Sequence, residues 1–261
     1  MSDFDRNTTA RYGAGVASAE AGAVDQGLRS YMLSVYNYMT VGLAITGLFA
    51  IGVFMAAVTN DPAGAVGETA NGMYLTSFGY AIFASPLKWL IMLAPLGLVF
   101  FLSARISKMS VSAAQITFWV FAALMGMSLS SIFMVYTGAS IGRVFFITAA
   151  SFGALSLYGY TTKKDLSGFG SFLIMGLFGL IIASLVNIFL QSTAMQFVVS
   201  VLGVLIFAGL TAYDTQRIKE MYFFGDDVAV AGRKAVMGAL SLYLNFINMF
   251  TMLLSLFGNR E

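Results

Sequence analysis

Between Leu166 and Tyr213 the chain runs for 48 residues without an Asp, Glu, Lys or Arg. As a single helix that run would be about 72 Å long at 1.5 Å per residue. The hydrocarbon core of a bilayer is only about 30 Å thick. The run must therefore fold back on itself, and the polar step Gln191–Thr193 marks the expected hairpin. Further uncharged runs at 30–60, 69–87, 89–104, 109–142, 144–162 and 235–259 repeat the pattern. Of the 261 residues only 10% are charged and 59% are hydrophobic. A soluble domain carries about 25% charged residues, so water is not the solvent for most of this surface.

These runs predict seven membrane helices, at 34–58, 86–105, 112–136, 143–162, 168–190, 195–219 and 234–257. The piece 69–87 is uncharged but broken by Gly and polar residues, and reads as either an eighth span or an interfacial loop. The positive-inside rule decides between the two. With seven spans and a cytoplasmic N-terminus, 11 Lys and Arg lie inside and 3 outside, whereas an eighth span at 69–87 gives 6 inside and 8 outside. The predicted fold class is therefore all-α. Residues 31–261 are expected to form a polytopic seven-helix membrane domain with the C-terminus outside. Residues 1–30 are polar and Gly/Ala/Ser-rich, lack an apolar core for a signal peptide, and are expected to be a disordered cytoplasmic tail. Small residues at helical spacing, Ala122, Gly126 and Ser130 in the third span and Gly179 and Ala183 in the fifth, predict close helix packing.

The chain has no Cys and no His. Disulfides, thiol chemistry and the common zinc sites are excluded, and no cofactor is expected. A proton sensor working near neutrality would have to be a carboxylate. No nucleic-acid partner is expected from a net charge of +2 without a basic stripe. There is no Lys between 235 and 259 to carry a retinal Schiff base. An enzyme is not expected, since neither a His- or Cys-based nucleophile pair nor a P-loop is present.

Asp214 ends the long uncharged run, near the end of the sixth span. Carboxylates in such positions usually face a bundle interior or a water-filled cavity. Thr211 and Thr215 flank it and are candidate pore-lining residues. Arg217 and Lys219 follow, where they complement the helix C-terminus. In the seventh span Ser241, Asn245, Asn248 and Ser255 recur at i, i+4, i+7 and i+14, one face of a helix. That stripe is either interhelical glue or the wall of a cavity. Arg105 closes the second span, on the same side of the membrane as Asp214, so an ion pair between them is sterically open.

The segments "LMGMSLSSIF", "GYTTKKDLS", "GLTAYDTQRIKEMY" and "ALSLYLNFINMF", in that order between Leu98 and Glu261, resemble the bacterial branch of the Bax inhibitor family, the transmembrane Bax inhibitor motif proteins. The resemblance implies a seven-helix bundle that leaks calcium, or cations generally, down their gradient. It implies a gate made of one aspartate on each of the last two helices, sharing a proton, with an arginine at the end of the second helix pairing with the first aspartate. The first aspartate is matched by Asp214, which is then also the candidate Ca2+ ligand, and the arginine by Arg105. The second falls on "LYLNFIN", where residue 245 is Asn instead. Two adjacent carboxylates raise each other's proton affinity. With Asn245 that effect is lost, so gating at a lower pH and weaker divalent binding are expected than in a di-aspartate member. Membrane lipid and calcium or other cations are the expected partners. The alternative is a non-conducting modulator of a membrane protease or stress response.

Overall fold

Large apolar side chains cover the outside of the molecule: Phe189, Phe146 and Leu48 stand out from the bundle, while Thr148, Thr211 and Thr215 are buried beside an apolar core. Lipid as solvent requires this: apolar side chains face the tails, and polar groups must find partners inside. The computed structural model describes residues 25–69 and 72–259. Among these, seven helices are long and apolar enough to cross a membrane.

The first span, α1, is described over Asp25–Ala57. It is followed by a minimal antiparallel sheet of β1 (Val58–Thr59), β2 (Gly67–Glu68) and β3 (Tyr74–Leu75), in the order β1-β3-β2. Then come α2 (Ser77–Phe83), α3 (Leu87–Arg105), α4 (Val111–Leu129), α5 (Gly138–Thr161), α6 (Ser167–Leu190), α7 (Thr193–Glu220) and α8 (Val228–Phe257). The ambiguous piece at 69–87 is therefore not a span. Its helix α2 has 7 residues, about 10 Å of length against a 30 Å core. Of the tail expected over 1–30, residues 1–24 lie outside the described residues, and residues 25–30 belong to α1.

Helix ends follow local chemistry. Ser110, Thr137, Ser192 and Asp227 cap α4, α5, α7 and α8 by accepting a backbone N–H from the first turn. The expected hairpin at Gln191–Thr193 is present. Gln191 ends α6 in the left-handed conformation (φ 49°), and the Asn187 side chain accepts the Ser192 N–H at 3.0 Å. Asp165 accepts from Ser167 N at 2.8 Å. The bonds from Ser167 hold its carboxyl below the ordinary carboxylate value. What this contributes to the start of α6 is present at neutral pH and is lost as pH falls through that lowered value.

Helix α8 is the axis of the bundle, packed by α1, α4, α5 and α7. Its Leu242, Tyr243, Val236 and Ala239 are fully buried. Tyr243 sits edge-on against Phe118 and Phe121 of α4, with ring centroids 5.7 and 5.5 Å apart, and its hydroxyl bonds to Thr46 of α1 at 2.7 Å. Thr46 has one proton, which it directs at the carbonyls of Gly42 and Ala122. Tyr243 must therefore be the donor in their shared bond. Helices α3 and α6 are peripheral, resting on α4 and α7 respectively. The small face Ala122–Gly126–Ser130 does meet α1: a Cβ on Gly126 would stand 2.4 Å from the Thr46 carbonyl oxygen. Gly179, the fifth-span candidate, instead faces open space.

Candidate functional site

The six residues Tyr213–Ile218 sit in the last turns of α7, and each turn of the helix sends them to different neighbours. Asp214 points toward α8. Its Oδ2 accepts from Asn245 Nδ2 at 2.8 Å, and its Oδ1 lies 3.2 Å from an Arg217 guanidinium nitrogen. The residue is 9% exposed, and it is the only Asp or Glu among the buried residues described. The Arg217 side chain is 46% exposed and lies over the Tyr213 ring, 5.7 Å from its centroid. The carboxylate is thus held between a buried neutral donor and a half-wetted cation.

This revises the expected ion pair. The guanidinium on Asp214 belongs to Arg217, one turn along the same helix, and not to Arg105. Arg105 is exposed at the end of α3, a helix that packs on α4 and away from α7. A pair at i,i+3 within one helix is short-range and easily formed, but it cannot fasten two helices together. The link between α7 and α8 at this point is the Asn245 amide.

Asp214 and Asn245 line a cavity of about 530 Å³ between α6, α7 and α8, together with Arg217, Ser241 and Asn248. The upper part of the polar stripe on the last helix is therefore a cavity wall. Thr211 and Thr215 are not part of it. Both are fully buried on the α5 side of α7. Thr215 donates to the Thr211 carbonyl at 2.8 Å, so it must accept from Ser156 at 2.9 Å. Ser156 in turn must accept from Tyr36, 2.6 Å away. This one-way chain ties α1, α5 and α7 together.

Two residues carry structural work that the sequence reading did not assign. Gln216, 6% exposed, accepts the Leu166 N–H at 2.8 Å and donates to the Lys164 carbonyl at 2.8 Å, pinning the loop between α5 and α6. Lys219 donates to the Tyr160 carbonyl at 2.8 Å, closing the end of α5. Gln216→Ala should therefore destabilise the protein by about 1–3 kcal/mol, because the buried Leu166 N–H loses its acceptor. Thermal unfolding in detergent measures this, and a shift no larger than that of an exposed substitution on α7 would contradict it. A further pattern, Gly138-Ala139-Ser140-Ile141-Gly142, has the spacing of a nucleophile elbow. Here Ser140 lies in the first turn of α5, not after a strand. Its Oγ accepts the Asn259 N–H at 2.9 Å, clasping the end of the chain, and no His exists to serve it as a base.

A capped seven-span bundle whose one buried carboxylate, among the described residues, lies on the wall of a largely apolar cavity defines a polytopic membrane protein with an ionisable intramembrane residue. The family model described as inhibitor of apoptosis-promoting Bax1 matches residues 28–261, and the chain belongs to that Bax inhibitor family. It is 46% identical over 237 residues to an uncharacterized protein of Rickettsia prowazekii, covering 91% of this chain and 92% of the relative. It is 44% identical to an uncharacterized protein of Caulobacter vibrioides over the full length of both. It is also 46% identical over 239 residues to the inner membrane protein YbhL of Escherichia coli K12, covering 90% and 94%.

Proposed function

We propose that this protein is a cation leak channel of the bacterial cytoplasmic membrane, passing calcium down its gradient, with the Asp214–Asn245 contact as its pH-sensitive latch. The observation that carries the reading is the placement of Asp214: buried, bonded across to α8, and lining a cavity with Ser241 and Asn248. In the orientation expected from the distribution of Lys and Arg, this end faces the cytoplasm. Calcium is cargo in this reading and not a resident cofactor. Asp214 is the one carboxylate on the cavity wall, and a stable calcium site takes six to eight oxygens.

The latch works through the strength of one hydrogen bond. Ionised Asp214 accepts a charge-assisted bond from Asn245, worth about 1.5–3 kcal/mol. Once protonated it offers a neutral acceptor, worth about 0.5–1.5 kcal/mol. Acidification therefore loosens α7 from α8 by about 1 kcal/mol and opens the cavity. Arg217 loses its counter-charge in the same step and turns to water, to which it is already half exposed.

Calcium flux into purified, dye-loaded proteoliposomes, followed as pH is lowered, tests this reading. The parent should leak above empty liposomes, and more so in acid. Asn245→Asp places a second carboxylate within hydrogen-bonding range of the first. Both cannot easily ionise, so the midpoint should move to higher pH by about one unit or more. A midpoint no higher than the parent's would remove Asn245 from the latch. Absence of any flux would favour instead a non-conducting modulator of a membrane protease, the reading to which the missing second aspartate lends weight.

A further inference from the structure

The cavity holding Asp214 does not end within the bundle. A second cavity, of about 490 Å³, lies at the other end of the same cleft, against the α6–α7 hairpin. Its polar wall comes from Asn187, Gln191, Gln196, Ser200, Thr251 and Ser255. Three residues, Ser184, Ile188 and Met252, belong to the walls of both cavities. The two spaces therefore abut at one narrow level. Along α7, the 18 residues from Gln196 to Asp214 span about 27 Å, close to the thickness of the hydrocarbon core.

Polar side chains at membrane depth are costly unless they are satisfied or line water. Here they stand at both ends of one cleft. Ser200 donates to Ser255 at 3.1 Å, and Gln196 reaches the same oxygen at 3.5 Å. Asn248 and Thr251 bond back to carbonyls of their own helix, leaving side-chain oxygen lone pairs facing the cleft. Between these two polar stretches stand Met252 and Ile188, which are apolar. Gly203 makes room for Met252: a Cβ there would lie 2.9 Å from the Met252 Cγ and 3.0 Å from its sulfur. An unbranched thioether lying across a glycine can change rotamer without moving a helix. An apolar constriction can close a pore by expelling water.

We propose that the two cavities are the halves of one water-lined route through the membrane along α6, α7 and α8, closed at mid-depth by Met252 against Ile188. The route deepens the leak reading, on which it rests for what passes: hydrated cations handed between neutral Ser, Thr, Asn and Gln oxygens and one carboxylate. Asp214 controls one mouth and Met252 the middle, so the leak has two barriers in series.

The chain has no Cys, so single cysteines report water access directly. Ser255→Cys, Ser241→Cys and a lipid-facing control, Phe178→Cys (Phe178 is 64% exposed on α6), are each reconstituted in vesicles. A charged methanethiosulfonate reagent is then applied to one face at a time. The expected result is labelling of the Ser255 and Ser241 variants from opposite faces, each at least tenfold faster than the control. Adding Met252→Ala should let reagent from the Ser255 side reach Ser241→Cys at least tenfold faster, and should raise the calcium leak several-fold. Labelling of both variants no faster than the control would overturn the route, as would Met252→Ala leaving access unchanged, even with the parent leaking. Fast labelling from opposite faces in a protein that passes no calcium leaves the route standing and overturns the leak reading.

Discussion

Asp214→Asn should give a folded protein whose calcium leak no longer responds to pH and stays near the level the parent reaches in acid. The substitution keeps the shape and the acceptor oxygen of the side chain, so Asn245 can still donate to it, but as a neutral bond. The loss is about 1 kcal/mol of interhelical attachment, which shifts the closed-to-open ratio roughly fivefold. At neutral pH the variant should therefore leak several-fold faster than the parent, and at low pH the two should converge. No buried charge is orphaned, because Arg217 is half in water, so thermal stability should change little. Arg217→Gln separates the roles of the two partners. It removes the counter-charge and leaves the bond to α8, so pH dependence should persist with a displaced midpoint. Flux against pH for the three proteins checks the set. An Asp214→Asn variant that keeps the parent's pH profile would remove this carboxylate from the gate.

How far this site could be read in advance depends on what each side chain answers to. The spans were legible because membrane thickness imposes a length on every helix, and a charge ends each run. The α6–α7 hairpin fell at Gln191–Thr193 for the same reason. The partners of Asp214 were legible only in part. Asn245 lies on a stripe whose period marks one face of a helix, and that face does meet the cleft. Arg217 was equally visible at i+3, but the same position suits a helix-end cation, and spacing does not separate the two uses. Thr215 misled because proximity in sequence is not proximity on a helix. At about 100° per residue, Thr215 is turned well away from Asp214, toward Ser156. Gln216, two residues on, is turned to nearly the opposite side, where it clasps the α5–α6 loop. Residues 25–33 of α1, ahead of the predicted span, are held by packing. Leu28 and Tyr31 of α1 join the core, and the Tyr31 ring leans on Tyr222 at 5.7 Å.

A large loss of stability is expected from Gly126→Ala, a change of one methyl group. Helices α1 and α4 cross so closely that the new Cβ would lie 2.4 Å from the Thr46 carbonyl oxygen and 2.8 Å from the Phe49 Cβ. The obstructing atom is backbone, so relief requires the helices to part. Overpacking of this kind costs about 1–3 kcal/mol. Parting also disturbs Thr46, whose hydroxyl meets the Ala122 carbonyl at 2.9 Å and the Tyr243 hydroxyl at 2.7 Å. Tyr243 is fully buried, and its O–H without an acceptor costs about a further 1–3 kcal/mol. The sum, about 2–6 kcal/mol, is a large part of a typical stability of about 5–15 kcal/mol. The variant should melt far below the parent in detergent, or fail to accumulate. Tyr243→Phe removes the hydroxyl with no steric clash and leaves no buried O–H unpaired, so it should cost less than Gly126→Ala. Gly97→Ala in α3 is the control: its Cβ meets nothing within 4 Å, and exchanging Gly for Ala inside a helix stabilises by about 0.5–1 kcal/mol. Opposite signs at the two glycines would show that backbone crossing, and not helix propensity, sets the requirement at 126. Equal signs would mean that α1 and α4 yield to the methyl group, and that the Thr46 junction is not what holds the first helix to the axis of the bundle.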